Sequence, residues 1–200
     1  MKQKKKSDVA VLLGYAGSHK GLTFLGLALS AVSMLLSMAP YICIWLTARN
    51  LIAAAPEWTQ AQNISKYGWI AFAFAVGGII LYFAGLMCTH LAAFRTASNI
   101  RKQGVAHIMK APLGFFDSNA SGLIRGRLDA AAADTETLLA HNLADIVGTI
   151  VLFLSMLVLL FLFDWRMGAA CFLSAVISVI AMFSICLLYT SPSPRDGATS

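Results

Sequence analysis

An all-α fold threaded several times through a membrane is predicted by three features of this sequence. Hydrophobic residues make up 58% of it and charged residues only 12%, about half the charged share of a typical water-soluble domain. Apolar runs long enough to span a bilayer recur along the chain, leaving little length for an independent soluble domain. Lys and Arg gather in two places, the N-terminal arm and the stretch after Phe94, in the way that marks one side of a membrane. The formal charge of +6 is therefore a topological signal and not a nucleic-acid surface.

The N-terminal "MKQKKK" is basic but is followed by a polar interval and has no small-residue cleavage site, which argues against a cleaved signal peptide. Residues 8–20, "DVAVLLGYAGSHK", are too short to span and read as an interfacial elbow helix, so that 1–20 form a basic arm plus elbow. Four candidate spans follow, at about 21–47, 67–94, 144–163 and 167–188. The first two exceed the ~20 residues needed for a ~30 Å hydrocarbon core. The last two are separated only by "DWR", a tight turn. Small residues within the spans, such as Gly26, Ser30 and Ser33 or Gly78 and Gly85, suit close packing of helices in lipid.

Counting Lys and Arg by side gives Lys2, Lys4, Lys5, Lys6, Lys20, Arg95, Arg101, Lys102, Lys110, Arg125 and Arg127 against Arg49, Lys66 and Arg166. Eleven against three places the N-terminus and residues 95–143 in the cytosol. Within that polar region "RTASNIRKQGVAHIMKA" stays compatible with helix until Pro112, so the second span is expected to run on, roughly 25 Å beyond the bilayer. On the far side Ile124, Leu128, Ala131, Leu138 and Asn142 share one helical face leading into the third span. Between the two extensions lies "PLGFFDSNASG", where Asp117, Ser118, Asn119 and Ser121 suit a turn or helix cap and Gly114 and Gly122 flank it. Paired aromatics at such a tip, Phe115 and Phe116, point to a docking surface; anchoring to lipid headgroups is the alternative.

Other chemistry is sparse. Cys43, Cys88, Cys171 and Cys186 stand apart without disulfide or zinc spacing, and His19, His90, His107 and His141 have no ligand partner at helical spacing. His90 and His141 are expected at the membrane boundary. Asp134 and Glu136, two apart on a helix, face different ways, while Arg125 and Asp129 make an ordinary i, i+4 surface pair. No segment fits GxxxxGK[ST], so no phosphate-cradling loop, catalytic residue, cofactor ligand or metal ligand is assigned. The spans carry almost no charge, unlike those of a cation-coupled carrier.

The segment "LGFFDSNASGLIRGRLDAAAADTETL", set between a long second span and a third, resembles the first intracellular loop of ATP-binding-cassette (ABC) exporters. The layout of elbow, two long spans, cytosolic loop and a hairpin joined by "FDWRMG" matches over about residues 8–184, and "TETLLAHNLADIVG" is similar to a bacterial half-transporter group. The resemblance implies about four of the six spans of an exporter-type transmembrane domain, over 21–185, with long cytosolic helical extensions. It implies a coupling helix at Phe115, Phe116, Asp117, Ser118, Asn119 and Gly122 that rests on a nucleotide-binding domain. ATP and Mg would belong to that domain, carried in a missing C-terminal part or a separate chain, and a second half-transporter, identical or different, would complete the assembly. The expected location is the bacterial cytoplasmic membrane. "RGRLDAAAAD" departs from the family in its alanine content. "LLYTSPSPRDGATS" breaks the composition abruptly, and 186–200 are read as a non-native tail. A four-span scaffold or a fragment of a secondary carrier are the competing readings.

Overall fold

The computed structural model describes residues 8–118 and 120–190, all of them helix, turn or short connection. The order is α1 (Asp8–Ala16), a 3-10 turn, α2 (Lys20–Leu36), α3 (Ala39–Ala53), a second 3-10 turn, α4 (Ile64–Ile108), α5 (Gly114–Ser118), α6 (Ser121–Thr137), a π-helical turn (Leu138–Asn142), α7 (Leu143–Phe163) and α8 (Trp165–Thr190). Four stretches, 11–53, 64–108, 121–163 and 165–186, are long and apolar enough to cross a membrane. The chain divides into two compact units, Met1–Leu152 and Phe153–Ser200.

The expected first span is two helices. α2 ends at Leu36 and α3 starts at Ala39 with Pro40 in its first turn, where a missing N–H costs nothing. Around the break the Ser37 hydroxyl donates to the Met34 carbonyl at 2.7 Å and the Met38 amide to Leu35 at 3.1 Å, so few backbone groups are left unbonded. α3 then runs to Ala53, past the expected boundary at 47. Near its end the Arg49 guanidinium lies 5.5 Å from the Trp45 ring centroid and the Asn50 amide donates to the Gln62 carbonyl at 3.1 Å, tying helix to loop.

α4 contains the whole second expected span and continues without a break to Ile108, about 21 Å beyond Phe94. Its buried stripe is Gly78, Gly85, Thr89, Ala92, Ala93, Thr96 and Ala97, and the facing residues of α2 are Thr23, Gly26, Ser30 and Ser33. A Cβ added to Gly26 would stand 2.9 Å from the Gly85 carbonyl oxygen, and one added to Gly85 would stand 3.0 Å from that of Gly26. The two backbones therefore touch. Large apolar side chains such as Phe72, Ile80, Phe83 and Met87 point outward. Lipid tails are as apolar as leucine, so burying a large side chain gains little there, whereas close backbone approach gains dispersion and excludes lipid.

The elbow α1 packs against α4 beyond the apolar part of that helix. The Asn99 amide donates to the Tyr15 carbonyl at 3.0 Å, Ala16 is fully buried, and Gly17, at φ +56°, turns the chain into α2. The basic arm 1–7 lies outside the described residues.

The face expected on the helix after the loop is only half right. Ile124, Leu128 and Leu138 are half-buried, but Ala131 and Asn142 are exposed. The buried positions are Ala132, Thr135 and Leu139, then Ala140, Ala144 and Gly148. The stripe advances by one extra residue between Leu139 and Ala140, and the π-helical turn at 138–142 absorbs it. A uniform 3.6-residue period cannot foresee that insertion.

In the second unit the turn between the last two helices is Asp164 alone. Its carboxylate accepts the Arg166 amide at 2.8 Å, an N-cap for α8, and the Phe161 ring occupies the space over Gly168. Backbone helix continues to Thr190, two residues past the expected span end at about 188, and residues 191–200 of the expected tail lie outside the described residues.

Candidate functional site

The polar turn between α4 and α6 is built by local backbone bonds. α4 closes with Met109 donating to Val105, Lys110 to His107 and Ala111 to Ile108, and Pro112 then prevents another turn. The Pro112 and Leu113 carbonyls accept the amides of Phe115 and Phe116, each at 2.9 Å, which starts α5. The Ala120 carbonyl accepts the amides of Leu123 and Ile124 and starts α6. The result is a five-residue helix, Gly114–Ser118, in the turn that joins the two long arms α4 and α6.

The two phenylalanines have different surroundings. Their rings meet edge to face, 5.4 Å between centroids. Phe116 is half-buried and faces a groove of about 490 Å³ between the arms, lined also by Val105, Ile108, Ile124 and Leu128. Phe115 keeps 40% of its surface exposed, next to a run of open apolar side chains: Met109 at 79%, Leu113 at 87% and Leu123 at 53%. Phe116 thus belongs to the frame, and Phe115 to the presented surface. Asp117 and Ser118 lie in α5 by their backbone. Asn119 lies outside the described residues. Gly122, in the first turn of α6, has open space where a Cβ would stand, so packing does not require a glycine there.

The arms are clasped by charge as well as by apolar contact. Arg101 of α4 meets Asp129 of α6 at 3.3 Å, and Arg125 meets the other oxygen of Asp129 at 3.7 Å. The i, i+4 pair was legible in the sequence; the cross-helix partner was not. These side chains are well exposed, and such pairs contribute about 0–1 kcal/mol. Leu128 covers Gly104, which lets α6 approach α4 closely.

Higher along the arms a second junction holds α4 to the π-helical turn. The single Thr89 hydroxyl hydrogen is shared between two carbonyl acceptors, Leu86 at 2.9 Å and Ala140 at 3.1 Å, beside a small core of Ala93, Leu139 and Ala140. One residue on in each strand of this junction, the rings of His90 and His141 lie 4.6 Å apart. Sequence reasoning kept these histidines apart because they are separated by fifty residues and no local spacing links them. Among the described residues no group of three or more His, Cys, Asp or Glu side chains converges.

Comparison with known proteins agrees with this architecture. The profile of the family described as "ABC transporter transmembrane region" matches residues 23–190. The chain is 26% identical over 154 residues to the mycobactin import ATP-binding/permease protein IrtA of Mycolicibacterium smegmatis, covering 77% of this chain and 17% of that one. It is 27% identical over 144 residues to the protein of the same name from Mycobacterium tuberculosis, covering 72% and 16%. The chain therefore spans less than a fifth of the length of the relatives it matches. From the profile match over most of its length and the long helices that carry it, this chain belongs to the family of ABC transporter transmembrane regions.

Proposed function

We propose that the chain forms part of the substrate pathway of an ATP-driven transporter in the bacterial cytoplasmic membrane, with its N-terminus and the α4–α6 turn in the cytosol. In this reading α5 is the coupling helix, docked on a nucleotide-binding domain that holds ATP and Mg, and a second half-transporter completes the pathway. The relatives are ATP-binding/permease proteins by name, joining an ATP-binding part to a permease part, which supports such a domain as the partner. Those relatives are named for import, so an exporter-type layout of helices does not by itself dictate outward transport.

The observation that carries the coupling role is the short helix in the turn between the arms, with Leu113 just before it and Phe115 within it open to the outside, beyond the end of α4 and far from the small-residue packing of the span. A headgroup anchor would not need two rigid arms to hold it away from that packing. Burying a whole Phe side chain contributes about 1.5–3 kcal/mol, and Phe115 has 40% left to bury, so docking it is worth about 1 kcal/mol. In the full-length transporter in proteoliposomes, Phe115→Ala should lower transport per ATP hydrolysed while insertion stays normal. Phe116→Ala should do the same by loosening the tip, and Phe94→Ala, in the apolar part of α4, should not. A cysteine at Asn119 should crosslink to the nucleotide-binding domain. Unchanged coupling in the Phe115/Phe116 double variant, with no crosslink, would overturn the assignment.

A further inference from the structure

We infer that His90 and His141 form a two-histidine site for a divalent transition-metal ion of the imidazole-binding class, Zn²⁺, Ni²⁺ or Cu²⁺, clasping α4 to the π-helical turn. The argument starts from separation. A zinc–nitrogen bond of about 2.0 Å puts each ring centroid about 3.2 Å from the ion, so two cis imidazoles have centroids about 4.5–5.2 Å apart for bond angles between 90° and tetrahedral. The observed 4.6 Å lies in that range. The rings now meet at 83°, edge to face, and joint binding of one ion requires each ring to turn about its Cβ–Cγ bond until one nitrogen of each faces the shared point. His141 is exposed, which gives its ring room to turn and an ion a way in.

The pair is also held in place beforehand. The preceding residues, Thr89 and Ala140, are hydrogen-bonded to each other at 3.1 Å and are buried, so the two backbones that carry the rings are pinned together one residue away. Pre-organisation of this kind lowers the ordering cost of binding. No third His, Cys, Asp or Glu converges on the site among the described residues, so water would fill the other positions. Imidazole nitrogens suit the transition metals named, whereas Mg²⁺ and Ca²⁺ seek oxygen.

The test is titration of the full chain in lipid nanodiscs with Zn²⁺ and with Ni²⁺, Mg²⁺ serving as the control. Saturable binding is expected for the first two and none for Mg²⁺. His90→Gln and His141→Gln should each weaken it by on the order of tenfold to a hundredfold, at least the loss seen when a ligand's outer partner is removed, whereas His107→Gln should leave it unchanged. Carbethoxylation of the unmodified chain, mapped by mass spectrometry, needs no variant: Zn²⁺ should protect His90 and His141 and leave the exposed His107 reactive. Absence of saturable Zn²⁺ binding, binding indifferent to both substitutions, or no protection of the pair would overturn the proposal and leave an edge-to-face packing contact.

Discussion

Replacing Gly26 by alanine should push α2 away from α4, by an amount the local geometry sets. The new Cβ would stand 2.5 Å from Thr89 Cγ2 and 2.9 Å from the Gly85 carbonyl oxygen, whereas carbon contacts are comfortable at about 3.5–4.0 Å. Thr89 is poorly placed to yield, because it is β-branched and its hydroxyl is committed to the Leu86 and Ala140 carbonyls. The Gly85 oxygen is backbone and can move only with α4. The two helices must therefore part by about 1 Å, and overpacking of this sort costs about 1–3 kcal/mol. Gly77→Ala is the matched control. Its Cβ would meet only Leu36 Cδ2, at 3.9 Å, so the helix-propensity gain common to both substitutions cancels in the comparison. At about 2–4 °C per kcal/mol for chains of this size, thermal midpoints of the two purified variants should differ by about 5 °C, with Gly26→Ala the lower. Equal midpoints, or a more stable Gly26→Ala, would refute the claim that backbone contact holds this pair of helices.

Thr89→Val keeps the shape but removes the hydroxyl that reaches the Ala140 carbonyl from α4, so a buried hydrogen bond between the helices is lost; destabilisation of about 0.5–1.5 kcal/mol is expected in denaturation of the purified chain, and a neutral result would mean that this bond does not hold the junction. Arg101→Ala and Asp129→Ala should each shift stability by less than about 1 kcal/mol, and less still in high salt, as thermal scans at two salt concentrations can show. In a background without native cysteines, Asn119→Cys should resist an impermeant maleimide applied to intact cells while Glu57→Cys reacts, as the eleven-to-three Lys/Arg asymmetry requires; the reverse labelling would invert the topology.

The apolar runs, the continuation of α4 past Phe94 and the turn around Phe115 and Phe116 were legible because each rests on local information: composition, a helix-compatible run, and a proline that ends it. The small residues of α2 and α4 were legible for a related reason, since in lipid the size of a side chain announces a close approach that hydrophobicity does not. The division of the first span is marked in the sequence only by Pro40, which the uniformly apolar run on either side conceals. The docking of Tyr15 on Asn99, the clasp of Arg101 on Asp129 and the meeting of His90 with His141 join residues far apart in the chain, and no periodicity within one helix encodes them. Phe115 and Phe116 were legible as a pair and not individually, because which ring enters the groove depends on how the turn packs against α4 and α6.

The π-helical turn fixes where this chain can change length. Because it already holds one residue more than an α-turn, deleting a residue between Leu138 and Asn142 would leave an ordinary α-helix in which Thr135 and Ala144 still face α4. The same deletion near Ala130 has no slack to absorb it: everything on one side would swing by about 100° about the helix axis, carrying Ile124 and Leu128 off the arm they pack on. A single-residue deletion should thus be tolerated within the five positions of this turn and not in the regular helix on either side.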